Sequence, residues 1–312
     1  MKKIISYLLG FLLLGVILYR LDLAKFKEIF FEADLFWLIF GFSFTLLIMF
    51  IRTWRWNYLK KAQNINYSLK DSFLMLGAGL LAGFLTPGRL GEFSKLIYLK
   101  NDGYSYSQGA VGVILDRFLD VVFLLFYLGL GAWIFMKDLR GAILTIGLSL
   151  LVIIFLPFLL KKIFGTNPFG SLFSHLACLL PGKYQKLCGE GFKSFFDNLR
   201  ILKFKNYLVL GVFTVLLWTV YFTQMFVFSK SLNIQISFFY LAFAVTAAGI
   251  ITMIPISFSG IGTRDLILIA FFSFVLLSGE SAVALSTLIL GTHLVAALIG
   301  WLCWLKKPLL FK

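Results

Sequence analysis

The fold of this chain is decided by a short interruption between two apolar runs: residues 84–95 read FLTPGRLGEFSK. Proline, two glycines and three charged side chains fall within these twelve residues. Non-helical backbone is tolerated at membrane depth only where protein or water surrounds it. The stretch therefore predicts a break in a membrane-embedded helix that lines a cavity. The alternative is a turn between two short amphipathic helices at the cytoplasmic surface.

The composition predicts an all-α polytopic membrane protein, with residues 1–312 forming a single integral membrane domain. Of 312 residues, 60% are hydrophobic and 14% are charged, and the mean hydropathy is +0.94. A soluble domain does not need so much apolar surface. The net charge is +15, and the basic residues cluster between the apolar runs. This distribution therefore indicates contact with anionic lipid headgroups and not with nucleic acid.

About 20 apolar residues are needed to cross the hydrocarbon core. We predict about six full spans, at residues 4–19, 35–51, 108–136, 143–160, 207–228 and 281–304. Two further apolar stretches, at about 72–99 and 237–278, are each broken by proline and glycine. We predict that they are re-entrant hairpins entering from opposite faces, as in an inverted repeat. Two full crossings within 237–278 are the alternative.

Lysine and arginine set the orientation. They cluster after the second span, in the segment 161–206 and at the C-terminus. By the positive-inside rule these regions are cytoplasmic, which predicts cytoplasmic N- and C-termini in a multi-pass protein of the cell (plasma) membrane. The segment 161–206 reads either as interfacial helices or as a solvated basic linker.

Three charged residues lie deep in an apolar run, GVILDRFLDVVFLL: Asp116, Arg117 and Asp120. Each costs about 2.5–3.5 kcal/mol on insertion scales, so they need partners or water. Asp116 and Asp120 share a helix face, and Arg117 can pair with Asp120. They form either a self-neutralising cluster or, as we favour, an anion site in which a carboxylate gates the ligand or takes a proton.

The broken hairpins carry matching groups. Glycine at a helix break allows close backbone approach, and arginine binds phosphate bidentately. The predicted substrate-binding residues are Arg89, Glu92, Lys95, Asp116, Arg117, Asp120, Arg264 and Asp265. The predicted helix-break or hinge residues are Pro87, Gly88, Gly91, Pro255, Gly260 and Gly262. His293 is predicted to be a packing histidine.

Motifs for nucleotide hydrolysis and for metal-dependent or serine hydrolysis are not found in the sequence. We therefore expect no catalytic residue, no metal and no cofactor. A transporter without intrinsic ATPase activity is favoured over an enzyme.

Three motifs in this order, TPGRLGEFSK, DRFLD and PISFSGIGTRD, resemble the lysylphosphatidylglycerol synthase transmembrane-domain family, also called flippase-like or UPF0104 proteins. The resemblance spans nearly the whole chain. It implies lipid translocation or service to a lipid-modifying enzyme. Asp116 and Asp265 stand where the family pattern has glutamate. The aminoacyl-transferase domain of the synthase is not expected, so synthesis of lysyl-lipid is not predicted.

The leading hypothesis is a lipid flippase or translocase for an anionic phospholipid or polyprenyl-phosphate-linked lipid. Its headgroup would bind among Arg89, Arg117 and Arg264. The first alternative is a membrane-embedded transferase or accessory subunit acting on a lipid phosphate, with a carboxylate as general base. The second is a small-ion transporter that uses paired carboxylates.

Overall fold

The computed structural model describes residues 21–137, 201–253, 257 and 259–308, together with a few isolated positions between and before them. The side chains of residues 87–89 are not described. Apart from isolated positions, the predicted spans 4–19 and 143–160 and most of the segment 161–206 lie outside the described residues. Within the described part the regular structure is entirely helical.

The described helices fall into two similar sets. The first set comprises α1 (Leu23–Phe31), α2 (Leu35–Ala62), α3 (Leu69–Phe84), a 3-10 helix (Pro87–Ser94), α4 (Lys95–Asn101) and α5 (Tyr106–Met136). The second comprises α6 (Phe204–Ser231), α7 (Phe238–Met253), α8 (Thr263–Ser273) and α9 (Gly279–Lys306). Four of them, α2, α5, α6 and α9, are long and apolar enough to cross a membrane. They contain four of the predicted spans, and the prediction of a polytopic helical membrane protein is confirmed.

The same order of elements occurs in both sets. A 28-residue helix is followed by a 16-residue helix, a break, a short helix and another long helix. Packing between the sets is reciprocal: α2 packs on α6, α3 on α9, and α7 on α5. In each set, the helix before the break packs against the last helix of the other set. A repeated structural unit produces this reciprocal arrangement.

Polar side chains fix where the long helices begin. Asp34 accepts hydrogen bonds from the backbone N–H groups at the start of α2, and Ser68 does so for α3. Ser105 and Gln108 form a reciprocal capping box at the start of α5, and Ser278 caps α9. These caps satisfy backbone donors that the first helical turn leaves unpaired.

Hairpin 1, residues 69–101, has both of its ends at one end of the bundle. The Tyr67 hydroxyl donates to the Asp102 carboxylate across the two ends. Lys307, just after α9, places its Nζ 3.6 Å from both Asp71 and Asp102. The Tyr98 hydroxyl donates to the Lys307 carbonyl at 2.6 Å. The chain therefore enters and leaves hairpin 1 beside the end of α9.

Hairpin 2, residues 238–273, is anchored at the other end of the bundle. The Tyr240 hydroxyl, near its start, donates to the Phe271 carbonyl, near its end, at 2.6 Å. At this end the start of α2 also meets the end of α6, where the Asp34 N–H donates to the Ser231 carbonyl at 2.8 Å. With 16 and 11 residues, α7 and α8 measure about 24 Å and about 16 Å, less than the thickness of a hydrocarbon core.

One boundary differs from the prediction in a way that matters for function. The second predicted span ends at residue 51, with Arg52, Arg55 and Lys60 in a cytoplasmic loop. The structure continues α2 to Ala62 and buries Arg55 and Lys60, each 1% exposed. The prediction was wrong here because the charges are interleaved with Trp54 and Trp56 on a continuing helix. Arg55 and Lys60 therefore do not count as loop charges.

The arrangement of the hairpins predicts which residues share a side of the membrane. Single cysteines replacing the exposed residues Lys61, Lys100 and Lys306 should all react with a membrane-impermeant maleimide added to one side. Cysteines at the exposed positions Asn233 and Leu276 should react only from the other side. The background is a chain with Cys178, Cys188 and Cys303 replaced. Labelling of residues 61 and 100 from opposite sides would contradict a hairpin that returns to its starting face.

Candidate functional site

A charged cavity lies between the tips of the two hairpins. Its volume is about 390 Å³, within the usual range for a small-ligand pocket. Hairpin 1 contributes Glu92 and Phe93 to its wall, and hairpin 2 contributes Thr252 and Arg264. Most of the other lining residues are apolar. The titratable residues in the described wall are Arg52, Glu92, Arg117, Asp120, Tyr221, Arg264 and His293.

Arg55 holds the two intramembrane aspartates. Its Nη1 and Nη2 lie 2.7 Å and 3.1 Å from the two oxygens of Asp120, and its Nε lies 2.7 Å from Asp116. Nη1 also donates to the Thr214 hydroxyl at 3.0 Å, and the Trp218 indole N–H donates to Asp120 at 3.2 Å. Helices α2, α5 and α6 are joined at this cluster. A guanidinium that donates two hydrogen bonds to one carboxylate fixes the orientation of that carboxylate.

The predicted pairing of Arg117 with Asp120 was wrong. Arg117 donates through Nη2 to the Glu92 carboxylate of hairpin 1. Lys95 supports the same carboxylate, with its Nζ 3.7 Å from Glu92 and 4.7 Å from the centre of the Trp56 ring. The spacing within α5 permits an Arg117–Asp120 contact, but the buried Arg55 already occupies both oxygens of Asp120. Arg117 is therefore left to tie the tip of hairpin 1 to α5.

The tip of hairpin 2 is tied to α9 by hydrogen bonds and not by an ion pair between described residues. Arg264, 3% exposed, donates through Nε to the Ser286 hydroxyl at 2.6 Å and through Nη1 to the Ser259 carbonyl at 3.4 Å. The Ser259 hydroxyl lies 3.3 Å from Nδ1 of His293. His293, which the sequence predicted as a packing residue, thus lies in the cavity wall.

Asp265 contacts the backbone at the start of α8. Its carboxylate accepts a hydrogen bond from the Gly262 N–H at 2.7 Å and so caps the start of α8. It is not among the described residues that line the cavity; nor are Asp116 and Lys95, which stand one layer behind the wall. Of the eight predicted substrate-binding residues, Glu92, Arg117, Asp120 and Arg264 are brought together at the cavity. The side chain of Arg89 lies outside the described part.

The predicted helix breaks lie at the two tips. Pro87 and Gly88 open the 3-10 helix, and a Cβ on Gly91 would lie 2.0 Å from the Ala82 carbonyl oxygen. Gly260 and Gly262 have φ values of +83° and +81°, a region that favours glycine. Pro255 lies outside the described residues.

Arg52 is the cavity residue that the sequence did not single out. It lies on the long helix α2, lines the cavity, and has a buried Nε without a hydrogen-bond partner in the described part. The spacing of Arg52 and Arg55, three residues apart on one helix, was available as a signal. The same residues also fit a basic cytoplasmic loop after the second span, which is where the sequence-based prediction places them.

The charges of the cavity wall do not cancel. Glu92 and Asp120 each lie within 4 Å of a lysine or arginine. Arg52 and Arg264, in contrast, form no ion pair with a described carboxylate. The described wall has three arginines and two acids, so its net charge is +1, and one of the acids, Asp120, is paired to Arg55 behind the wall. A buried and a half-buried cation outside any described ion pair favour an anionic ligand.

Residues 3–300 match the model of the lysylphosphatidylglycerol synthase TM region. The chain belongs to this family. Among its relatives is a UPF0104 membrane protein of Methanothermobacter thermautotrophicus (strain Delta H), which is 24% identical over 290 residues. That similarity covers 88% of this chain and 86% of the relative. No solved structure matches the chain.

The Arg55 cluster predicts a large difference between two neighbouring arginines of α2. Arg55→Ala leaves two buried carboxylates without their cation, so the free energy of unfolding should fall by about 3–5 kcal/mol. The matched variant Arg52→Ala removes no described ion pair and should cost about 1 kcal/mol or less. Reversible unfolding of the purified protein in detergent measures both. Equal stability of the two variants would contradict the assigned pairing.

Proposed function

We propose that this protein is a lipid translocase that moves an anionic lipid, a phospholipid or a polyprenyl-phosphate-linked lipid, between the leaflets of the cell membrane. Its headgroup binds in the cavity between the hairpin tips. The observation that carries the proposal is the pair Arg52 and Arg264, two arginines of the cavity wall that form no ion pair with a described carboxylate. Membership of the lysylphosphatidylglycerol synthase TM region family supports a lipid-related role.

The chemistry of the wall suits a phosphate group with a lipid chain. Guanidinium groups donate bidentate hydrogen bonds to phosphate and stay protonated at any physiological pH. The apolar residues around them suit the beginning of a hydrocarbon chain. Leu85, Leu90 and Phe93, at the tip of hairpin 1, are 59%, 60% and 39% exposed. They provide an apolar surface along which the rest of the chain stays in the bilayer.

Arg52 and Arg264 lie at different distances along the axis of the helical bundle. Arg52 comes 17 residues after Leu35, or about 26 Å along α2. Ser286, which holds Arg264, comes 7 residues after Gly279, or about 10 Å along α9. Both helices start at the same end of the bundle, since Asp34 contacts the end of α6 and the Asp22 N–H donates to Glu280 beside α1. A headgroup can therefore pass from one cation to the other across the middle of the protein.

Release follows from competition inside the cavity. Arg117 is shared between the Glu92 carboxylate and an incoming anion, so binding of the anion weakens the tie between hairpin 1 and α5. Return of Glu92 to Arg117 then displaces the anion. Movement of the two hairpin tips, one against α5 and one against α9, would open the cavity to one side at a time, as in transporters with broken helices. The basic ends of α2, hairpin 1 and α9 are placed on the cytoplasmic side in this proposal.

The observed pairing disfavours the two alternatives. A transferase that uses Asp116, Asp120 or Glu92 as general base needs a carboxylate ready to accept a proton. All three are held by arginine in the described structure. A small-ion site made of Asp116 and Asp120 meets the same objection, because Arg55 already supplies the cation.

Removal of the Arg52 or the Arg264 cation should reduce transport of anionic lipid. A hydrogen bond to a charged group contributes about 1.5–3 kcal/mol, so Arg52→Gln and Arg264→Gln should each weaken binding about 10-fold to 100-fold. The measurement is dithionite quenching of fluorescent phosphatidylglycerol in proteoliposomes. Lys61→Gln, an exposed substitution on the same helix as Arg52, is the matched control and should retain the wild-type rate. Wild-type flipping by both arginine variants would contradict the proposed site.

Neutralising the competing acid should have the opposite effect on binding. Glu92→Gln leaves Arg117 available to the ligand at all times, so the anionic lipid should bind more tightly and leave more slowly. We expect increased retention of fluorescent phosphatidylglycerol by the detergent-solubilised variant together with a reduced flipping rate. Weaker binding in this variant would show that Glu92 supports the site instead of competing with the ligand.

A further inference from the structure

The two hairpin tips are held by ties of different chemistry. Hairpin 1 is tied to α5 by the Glu92–Arg117 ion pair. Hairpin 2 is tied to α9 through Arg264–Ser286 and through Ser259–His293. Ser286 and His293 are seven residues apart, two turns along the same face of α9. The tie on hairpin 2 therefore includes an imidazole, whose charge can change near neutral pH.

Groups from several elements face the cavity with His293. They are Arg52 of α2, Glu92 of the 3-10 helix, Arg117 and Asp120 of α5, Tyr221 of α6 and Arg264 of α8. Among the described residues, α3 and α7 add no titratable group to the wall. Arg117 and Arg55 hold the two acids in ion pairs. While the cavity holds no anion, His293 therefore shares it with two arginines, Arg52 and Arg264, that form no ion pair with a described carboxylate.

Arrival of an anion changes this charge balance. A phosphodiester bound against Arg264 brings a negative charge into the same low-dielectric cavity and neutralises the cation next to His293. An opposite charge at short range favours the protonated form of a histidine. The imidazolium can then donate to the phosphodiester in place of its contact with Ser259, which weakens the tie between hairpin 2 and α9.

We propose that His293 takes up one proton when an anionic headgroup binds beside Arg264, so that each translocated headgroup carries a proton with it. The proton comes from water in the open cavity, resides on the imidazole while the anion is bound, and returns to water when the anion leaves. On uptake an O–H bond of a hydronium ion breaks as the imidazole N–H bond forms, and the reverse exchange returns the proton to water. This inference rests on the proposed function and adds the coupling ion and the residue that carries it.

The test is isothermal titration of the purified full-length protein with dihexanoyl phosphatidylglycerol in buffers of different ionisation enthalpy. The phosphodiester of this probe keeps its charge across the imidazole range, so proton uptake reports on the protein. Wild type should take up protons on binding, approaching one per lipid near pH 6.5, the ordinary histidine value being about 6.5. His293→Gln should bind with almost no uptake. His175→Gln, which changes the second histidine of the chain, should behave as wild type.

The outcomes separate the inference from the proposed function. Binding by wild type without proton uptake, or equal uptake in wild type and in His293→Gln, would overturn the role of His293 and leave the translocase proposal standing. Absence of binding by wild type would overturn the inference together with the assignment of a phospholipid as ligand. Glycerophosphoglycerol, the headgroup without chains, should bind much more weakly. Equal, proton-coupled binding of that compound would assign the site to a soluble phosphodiester and overturn the lipid assignment. If His293→Gln fails to fold, wild-type binding without proton uptake still overturns the inference.

Discussion

The rest of the structure depends on the interaction of Arg55 with two aspartates. Arg55 donates two hydrogen bonds to Asp120 and places its Nε 2.7 Å from the carboxylate of Asp116. Two carboxylates in the middle of an apolar helix would be too costly to bury without a cation. Arg55 supplies it from α2, and Thr214 and Trp218 complete the contacts from α6. Three of the long helices are thereby held together around a fixed negative group at the cavity wall.

That arrangement determines the charge of the cavity. Because Arg55 satisfies the aspartates, Arg117 is free to pair with Glu92 at the tip of hairpin 1. Every acid in the described wall is then engaged, whereas Arg52 and Arg264 form no ion pair with a described carboxylate. The family to which the chain belongs, the depth of the two cations and the apolar wall around them all fit a ligand with an anionic head and a hydrocarbon chain. The tip of hairpin 1 is held by an ion pair and the tip of hairpin 2 by hydrogen bonds, so different changes in charge would release the two tips.

Much of this could be read from the sequence, for local reasons. The break at residues 84–95 follows from Pro87 together with two nearby glycines, and the long apolar runs identify α2, α5, α6 and α9. What could not be read was the partner of each charge. The i, i+3 spacing pointed to Arg117–Asp120, whereas the actual partner of Asp120 is 65 residues away on another helix. The spacing of Arg52 and Arg55 fits one face of a helix, but a cluster of basic residues after an apolar run equally fits a cytoplasmic loop.

Mass spectrometry of the lipids that copurify with the protein tests the central claim most directly. The comparison is between wild type and the double variant Arg52→Gln/Arg264→Gln, purified in parallel from the same membranes. An anionic phospholipid or polyprenyl phosphate enriched over the bulk membrane in wild type, and lost from the variant, is the result that a headgroup site built on these two arginines predicts. The same bulk lipids at the same ratios in both preparations would contradict it.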